Sequence, residues 1–304
     1  MDRFDRQSFL GSNSSEILDR LTVGIIGLGG GGSHEVQQLA HLGVGRYVIV
    51  DPDTIDLTNT NRLIGGTLGD AELEVPKVEI AERMIRGLLP GARITSIKGH
   101  WEGALEDLKR CDVIMGAVDS FVARERLECF CRRYLIPYID IGMDVLELGE
   151  TGKFLVSGQV ILSTPGRPCL RCCGFLDDDK LKEEAKRYGD AGGRPQVVWS
   201  NGVLASVAVG LLVDLVCSWH SKSPDFVHLI YDGNRGTVVP SPGMEHLQKK
   251  PCPHFPANET GDPGFDVRTL IGEPVNIGEQ GDEASSSPAT SQRSWWKRML
   301  DYFH

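Results

Sequence analysis

The sequence predicts an α/β protein: a mostly parallel sheet with helices between its strands, an antiparallel C-terminal extension, and a disordered tail. Three observations predict this class. Short β-branched runs alternate with helical spacings over residues 1–150. A glycine cluster follows the first of those runs. Near residue 256, hydrophobic content gives way to Gly, Pro, Glu and Ser.

Residues 1–20 are polar with a few apolar points and predict an N-terminal arm. Val23-Gly24-Ile25-Ile26 reads as a buried strand, and Ser33–Leu42 has helical spacing through Val36, Leu39, Ala40 and Leu42. Tyr47–Val50 is a second strand closed by Asp51, and Val75–Leu89 a helix stopped by Pro90-Gly91. Ile94–Ile97 and Val113–Val118 follow as strands, then a helix over Phe121–Leu135 and the strand Tyr138–Ile141. Such alternation implies right-handed crossovers and a parallel sheet over a core of residues 21–150.

Past residue 150 the pattern changes. Phe154–Val156 and Gln159–Leu162 read as a hairpin turning at Ser157-Gly158, followed by a loop-rich stretch with the charged segment Asp177–Lys186. An apolar helix spans Val203–Val216, and a strand pair, Val227–Tyr231 and Thr237–Val239, turns at Asp232-Gly233-Asn234. Residues 151–255 are expected to complete the domain. The tail, 256–304, is expected to end in an amphipathic aromatic helix over Ser294–Phe303, which docks on a partner or packs back on the body.

Composition narrows the function classes. The net charge is −10 with no basic block, which speaks against nucleic acid or a membrane surface as the main partner. Met1–Arg6 is charged, so no secretory signal is expected, and Val203–Val216 is too short to span a bilayer and contains Asp214. Eight unevenly placed cysteines favour metal or reactive thiols over a disulfide framework, so a cytoplasmic setting is expected.

Gly27-Leu28-Gly29-Gly30-Gly31-Gly32 satisfies G-x-G-x-x-G between a strand and a helix, with Asp51 at the next strand end to hold a ribose hydroxyl. That is a Rossmann-like phosphate loop, with Gly27, Gly29, Gly30 and Gly32 letting the backbone approach a phosphate at a helix N-terminus. The loop itself does not choose between ATP and NAD. Asn59, Arg62 and Lys77 lie just beyond it, where a nicotinamide needs a neutral slot; two cations and an amide suit a triphosphate. Asp119, past the apolar strand, is positioned by sequence to carry Mg²⁺ opposite those cations.

These residues, taken in order, resemble the ThiF/MoeB family, bacterial relatives of ubiquitin-activating enzymes. The resemblance covers most of residues 1–240. It rests on Arg3-Phe4-Asp5-Arg6-Gln7 against an R-Y-x-R-Q arm, the glycine loop, the pair Asp51 and Asp53, Asn59-x-x-Arg62, Pro76-Lys77-Val78-Glu79 and Ala117-Val118-Asp119-Ser120. It implies that Gly30, Asp51, Asn59, Arg62, Lys77, Asp119 and Ser120 contact ATP or its Mg²⁺. It also implies a homodimer in which Arg6 reaches the partner subunit's site. The implied reaction adenylylates the C-terminal glycine carboxylate of a ubiquitin-like or sulfur-carrier protein.

Pro168-Cys169-Leu170-Arg171-Cys172-Cys173-Gly174 carries a C-x-x-C knuckle of the kind that shares a tetrahedral Zn²⁺. The family places a second C-x-x-C near the end of its catalytic body. Here Cys252-Pro253-His254-Phe255 stands there, so His254 replaces the last thiol and a Cys169, Cys172, Cys252, His254 site is expected. Family members that form a thioester use a cysteine before the helix near Gly202, and Gly193–Asn201 has none. Cys173 is the remaining nearby thiol; Cys129, Cys131 and Cys217 read as core. The activity therefore stops at the adenylate or passes it to a thiol acceptor on another protein. Three other readings stay open at this stage: a relative adenylylating tRNA or a small molecule, a non-catalytic partner subunit binding a ubiquitin-like protein, and an NAD-dependent dehydrogenase.

Overall fold

The β-branched runs pair as one eight-stranded sheet. Its strands are β1 (Thr22–Ile26), β2 (Arg46–Asp51), β3 (Arg93–Lys98), β4 (Val113–Gly116), β5 (Tyr138–Glu147), β6 (Phe154–Ser163), β7 (Phe226–Asp232) and β8 (Thr237–Pro240). The computed structural model describes residues 3–186, 195–217, 219–220, 224–255 and 260–261. Strand order is β3-β2-β1-β4-β5-β6-β7-β8. The first five strands are parallel, and β5 to β8 step outward antiparallel. Parallel strands covered on both faces must be apolar throughout. Val23, Ile25 and Ile26 of β1 and Val113, Ile114 and Met115 of β4 are accordingly buried. The edge strand β3 is largely exposed and carries Arg93 and Lys98, charges that blunt pairing with another chain.

The helices are α1 (Ser14–Arg20), α2 (Gly30–Leu42), α3 (Leu68–Glu72), α4 (Lys77–Leu88), α5 (Leu105–Leu108), α6 (Phe121–Arg133), α7 (Asp178–Lys186), α8 (Val198–Val216) and α9 (Met244–Gln248). Helices α2, α4 and α8 share one side of the sheet. There Val36, Leu39, Leu204, Ala208 and Leu212 join Ile25, Val160 and Leu162 in the main core. Each fully buried Leu or Ile contributes roughly 1.5–3 kcal/mol. Helix α8 is long and apolar enough to cross a membrane by composition, but its Leu204–Leu212 face is part of this core.

The sequence expectations need three corrections. First, Phe154–Ser163 is one continuous strand, and the turn lies between β5 and β6, where Glu147 pairs with Phe154. Gly158 marks close approach, not a turn: a Cβ there would meet the Gly142 carbonyl at 2.6 Å and Leu204 of α8 at 2.7 Å. Second, Asp178–Lys186 is a helix held by polar contacts, which an apolar periodicity cannot reveal. Third, α2 and α8 begin earlier than expected, at Gly30 and Val198. The expected aromatic helix at 294–303 lies outside the described residues.

Candidate active site

β1 lies between β2 and β4: the chain runs outward from β1 to β2 and β3 on one side, then crosses to β4 on the other, which opens a crevice at the carboxyl ends of β1 and β4. Gly27 follows β1 with φ 86°, and a Cβ on it would stand 2.7 Å from the Ala117 carbonyl oxygen. The loop leading to Asp119 is thereby packed against the glycine loop. Helix α2 starts at Gly30 directly behind the N-cap Gly29, so its unpaired N–H groups and positive dipole end open on the crevice.

Asp51 closes β2 and ties the loop down: its carboxylate accepts from Leu28 N at 2.6 Å and Asp53 N at 2.9 Å. Burial pushes its pKa up, and the nearby Lys77 ammonium opposes that rise. Lys77, the first residue of α4, lies 2.7 Å from Asp53 Oδ2 and 3.8 Å from Asp51 Oδ1. Asp53 itself is exposed. A cation already paired with an exposed carboxylate at a phosphate loop can exchange that anion for a phosphate.

The Asn59 and Arg62 turn is built locally. Asp56 accepts from Thr58 N at 2.6 Å and Asn59 N at 3.1 Å, while Asn59 Oδ1 accepts from Asp56 N at 3.4 Å. Ser33 Oγ of α2 accepts from Ile64 N at 3.0 Å and so joins this turn to the glycine helix. Arg62 donates to Thr58 O and Asn61 Oδ1, and its Cδ passes 3.4 Å from the Cβ direction of Gly30. Asp119 is exposed between β4 and α6, and Ser120 caps α6 by accepting from Ala123 N at 3.2 Å.

Arg6 is elsewhere. The arm is docked on the far ends of α2 and α4: Gln7 Nε2 donates to Leu42 O at 2.9 Å, Arg3 donates to Leu88 O, and the Phe4 ring fills the space above Gly43. Helix α2 has 13 residues, which separates this end from its own glycine loop by about 18 Å.

The second cluster is Cys169, Cys172, Cys252 and His254, whose ligand atoms all lie within 4.8 Å of one another. Sγ–Sγ separations of 3.6 Å join Cys172 to Cys169 and to Cys252; His254 Nδ1 is 3.4 Å from both Cys169 Sγ and Cys172 Sγ. Metal–sulfur bonds of about 2.3 Å in a tetrahedron require S–S edges of about 3.8 Å, so the donors fit a tetrahedral metal centre. Helix α6 holds this knuckle in place. Glu128 accepts from Leu170 N at 3.1 Å, and Arg132 donates to Arg167 O and Pro168 O at 2.8 Å and covers the Phe255 ring. Outside the cluster, burial holds the Cys111 and Cys129 thiols up at about 12 and pushes Cys131 and Cys173 well above the ordinary thiol range. Cys173 is thus a poor nucleophile as it stands.

The model of the ThiF family matches residues 4–254. The chain belongs to the ThiF family. It is 30% identical over 177 residues to the SAMP-activating enzyme E1 of Haloferax volcanii, covering 57% of this chain and 61% of that enzyme. It is 28% identical over 198 residues to the sulfur carrier protein ThiS adenylyltransferase of Escherichia coli (strain K12), covering 62% and 73%. With ubiquitin-like modifier-activating enzyme 5 of Gallus gallus it shares 29% over 190 residues, covering 56% and 45%. The matched region thus spans less than two thirds of the length of the first and third of these relatives. E. coli MccB crystallised with ATP has the same fold, with a TM-score of 0.64 at 18% identity, covering 79% of this chain and 71% of that one.

Two residues of this ThiF-family site carry no motif signal. Asn201 of α8 is buried and lays its amide over Gly30, with Nδ2 2.2 Å from where a Cβ would be. Glu184 of α7 reaches the first turn of α6. Neither could be found from local sequence, because each acts across a contact between distant segments. Glu35, one turn into α2, is also buried, both its carboxylate oxygens lack a partner among the described residues, and burial reinforced by Asp140 pushes its pKa up to about 8.

Proposed function

We propose that this chain uses ATP to adenylylate the C-terminal glycine carboxylate of a ubiquitin-like or sulfur-carrier protein. The observation that carries this reading is the surroundings of the glycine loop: Arg62 and the Asn201 amide beside Gly30, Lys77 beside the Asp51 that holds Leu28 N, and the Asp119 loop packed against Gly27. Two cations there neutralise the charge of a triphosphate. The names of the relatives, two of them activating enzymes and one an adenylyltransferase, agree with it.

In this reading Gly27, Gly29, Gly30 and Gly32 cradle the phosphates, and Asp51 and Asp53 hold the ribose. Asn59, Arg62 and Lys77 contact the nucleotide, and Ser120 would contact its Mg²⁺. Lys77 leaves Asp53 for a phosphate as ATP enters. Asp119 would hold Mg²⁺, which supplies charge neutralisation on the triphosphate when bound. A carboxylate oxygen of the substrate forms a bond to the α-phosphorus, the bond to the β-phosphate oxygen breaks, and pyrophosphate leaves. No protein base is needed, since the nucleophile is already ionised; catalysis rests on positioning and on neutralised charge.

The Cys169, Cys172, Cys252, His254 centre would hold a structural Zn²⁺, cross-linking the knuckle to the end of the body. Because Arg6 is remote from its own crevice, it serves the partner's site in a homodimer. Because Gly193–Asn201 holds no cysteine, the chain hands the adenylate to a thiol acceptor on another protein, in a reducing cytoplasmic setting.

Pyrophosphate exchange into ATP tests the reading. It should depend on a ubiquitin-like protein ending in Gly-Gly and vanish when that terminus is blocked. Exchange driven by tRNA or a small molecule would move the chain to the other adenylylating branch. ATP and carrier binding without exchange would make it a non-catalytic partner subunit.

A further inference from the structure

Helix α7 carries a carboxylate onto the edge of the candidate site. Glu184 accepts from Ser120 Oγ at 3.1 Å, from Phe121 N at 3.0 Å and from Val122 N at 2.9 Å. These donors open α6 immediately after Asp119, and the end of the helix dipole favours an anion there. Helix α6 has a local cap of its own in Ser120, which accepts from Ala123 N. The Glu184 carboxylate is therefore an added, long-range partner.

The other end of α7 is tied to the metal knuckle. Arg171, between Cys169 and Cys172, pairs at 2.6 Å with both Asp178 of α7 and Glu125 of α6. Lys180 Nζ donates to Phe175 O at 2.7 Å and Gly174 O at 3.3 Å. The sequence of α7, DDKLKEEAK, contains one leucine and one alanine. Ion pairs and hydrogen bonds hold both ends of this helix, and such contacts exchange readily with a competing ligand.

We propose that α7 is a latch, and that Glu184 is an internal stand-in for the substrate carboxylate. It engages Ser120 Oγ, Phe121 N and Val122 N until a carboxylate-terminated protein displaces it. The Asp178–Arg171–Glu125 chain braces the other end of α7 against the knuckle while the latch is closed. In the adenylate, the acyl oxygen takes the donors that Glu184 has left. This inference rests on the adenylylation reading.

The test uses the full chain with two probes: glycyl-sulfamoyl adenosine, a stable mimic of an acyl-adenylate, and AMP, which lacks the acyl group. Calorimetry compares wild type with Glu184→Ala, Glu184→Gln and Asp178→Asn. The three variants should bind the glycyl probe more tightly, by about tenfold where the closed latch holds nine molecules in ten, and AMP unchanged. Deuterium exchange at the Phe121 and Val122 amides should quicken in Glu184→Ala. Unchanged exchange at those amides, or glycyl-probe affinity no better than wild type with AMP still binding, would overturn the latch. Failure of wild type to bind AMP or the glycyl probe would instead overturn the adenylylation reading, and the latch with it.

Discussion

The side-chain amide of Asn201 lies over Gly30, close enough that a Cβ on the glycine would stand 2.2 Å from Nδ2. The amide is buried and its Nδ2 has no partner among the described residues. A buried donor left unpaired costs about 1–3 kcal/mol, which a phosphate oxygen offsets on binding. Asn201→Leu, which keeps the volume and removes the donor, should leave the melting temperature unchanged or raised and weaken ATP binding about tenfold. Gly30→Ala should weaken it at least as much by displacing the amide. Calorimetry with ATP, beside thermal melts, checks both.

The position of Arg6 predicts complementation. Arg6→Ala and Asp119→Ala should each be inactive alone in pyrophosphate exchange. Mixed and re-equilibrated in equal amounts, they should recover about a quarter of wild-type activity, because half the dimers then contain one intact site. No recovery from a mixture shown to exchange subunits would place Arg6 outside the partner's site.

Much of this site was legible in the sequence, and the limits have physical causes. The glycine loop, Asp51 and the β1, β2 and β4 runs were readable because a parallel strand buried on both faces is a continuous apolar run and the loop is local to it. His254 is readable as a member of the cysteine cluster because it stands where a fourth thiol is missing, two residues from Cys252. Gly158 was misread as a turn because close approach of Leu204 from α8 and a tight turn place the same demand on a glycine. Asn201 and Glu184 were invisible because each meets its target, Gly30 or the first turn of α6, only after α8 and α7 have docked. Helix α7 leaves no apolar period in the sequence, because its ion pair to Arg171 holds it by charge.

Glu35 predicts a pH dependence. In the folded chain its carboxyl holds a proton up to about 8, against an ordinary value of 4.5. Between these values the native state binds more protons than the unfolded chain, so stability falls as pH rises through the window and levels off above it. Each unit of such a shift is worth about 1.4 kcal/mol. Glu35→Gln should melt close to wild type near pH 4.5 and progressively above it toward pH 8, by several kcal/mol at the upper end. Parallel melting curves for the two proteins across that range would contradict the buried, unpartnered carboxyl.

The metal centre predicts a structural dependence that runs through α6. The purified chain should carry one tetrahedral metal, lost in Cys252→Ser and His254→Ala, and chelation should lower the melting temperature. Glu128→Ala leaves Arg132 buried without its anion and should cost about 3–5 kcal/mol and lower metal affinity. Elemental analysis and competition with a chromogenic chelator read the metal directly. Full metal content in the His254→Ala protein would remove the histidine from the ligand set.

In the proposed reaction, ATP is cleaved at its α-phosphorus by a protein carboxylate. Intact-mass spectrometry tests it most directly, on a ubiquitin-like protein ending in Gly-Gly incubated with the chain, ATP, Mg²⁺ and pyrophosphatase. The carrier should gain one adenylyl group at its C-terminus with wild type and none with Asp119→Ala, whose circular dichroism stays that of wild type. An unmodified carrier across a panel of such proteins, together with NAD binding in the glycine loop, would contradict it.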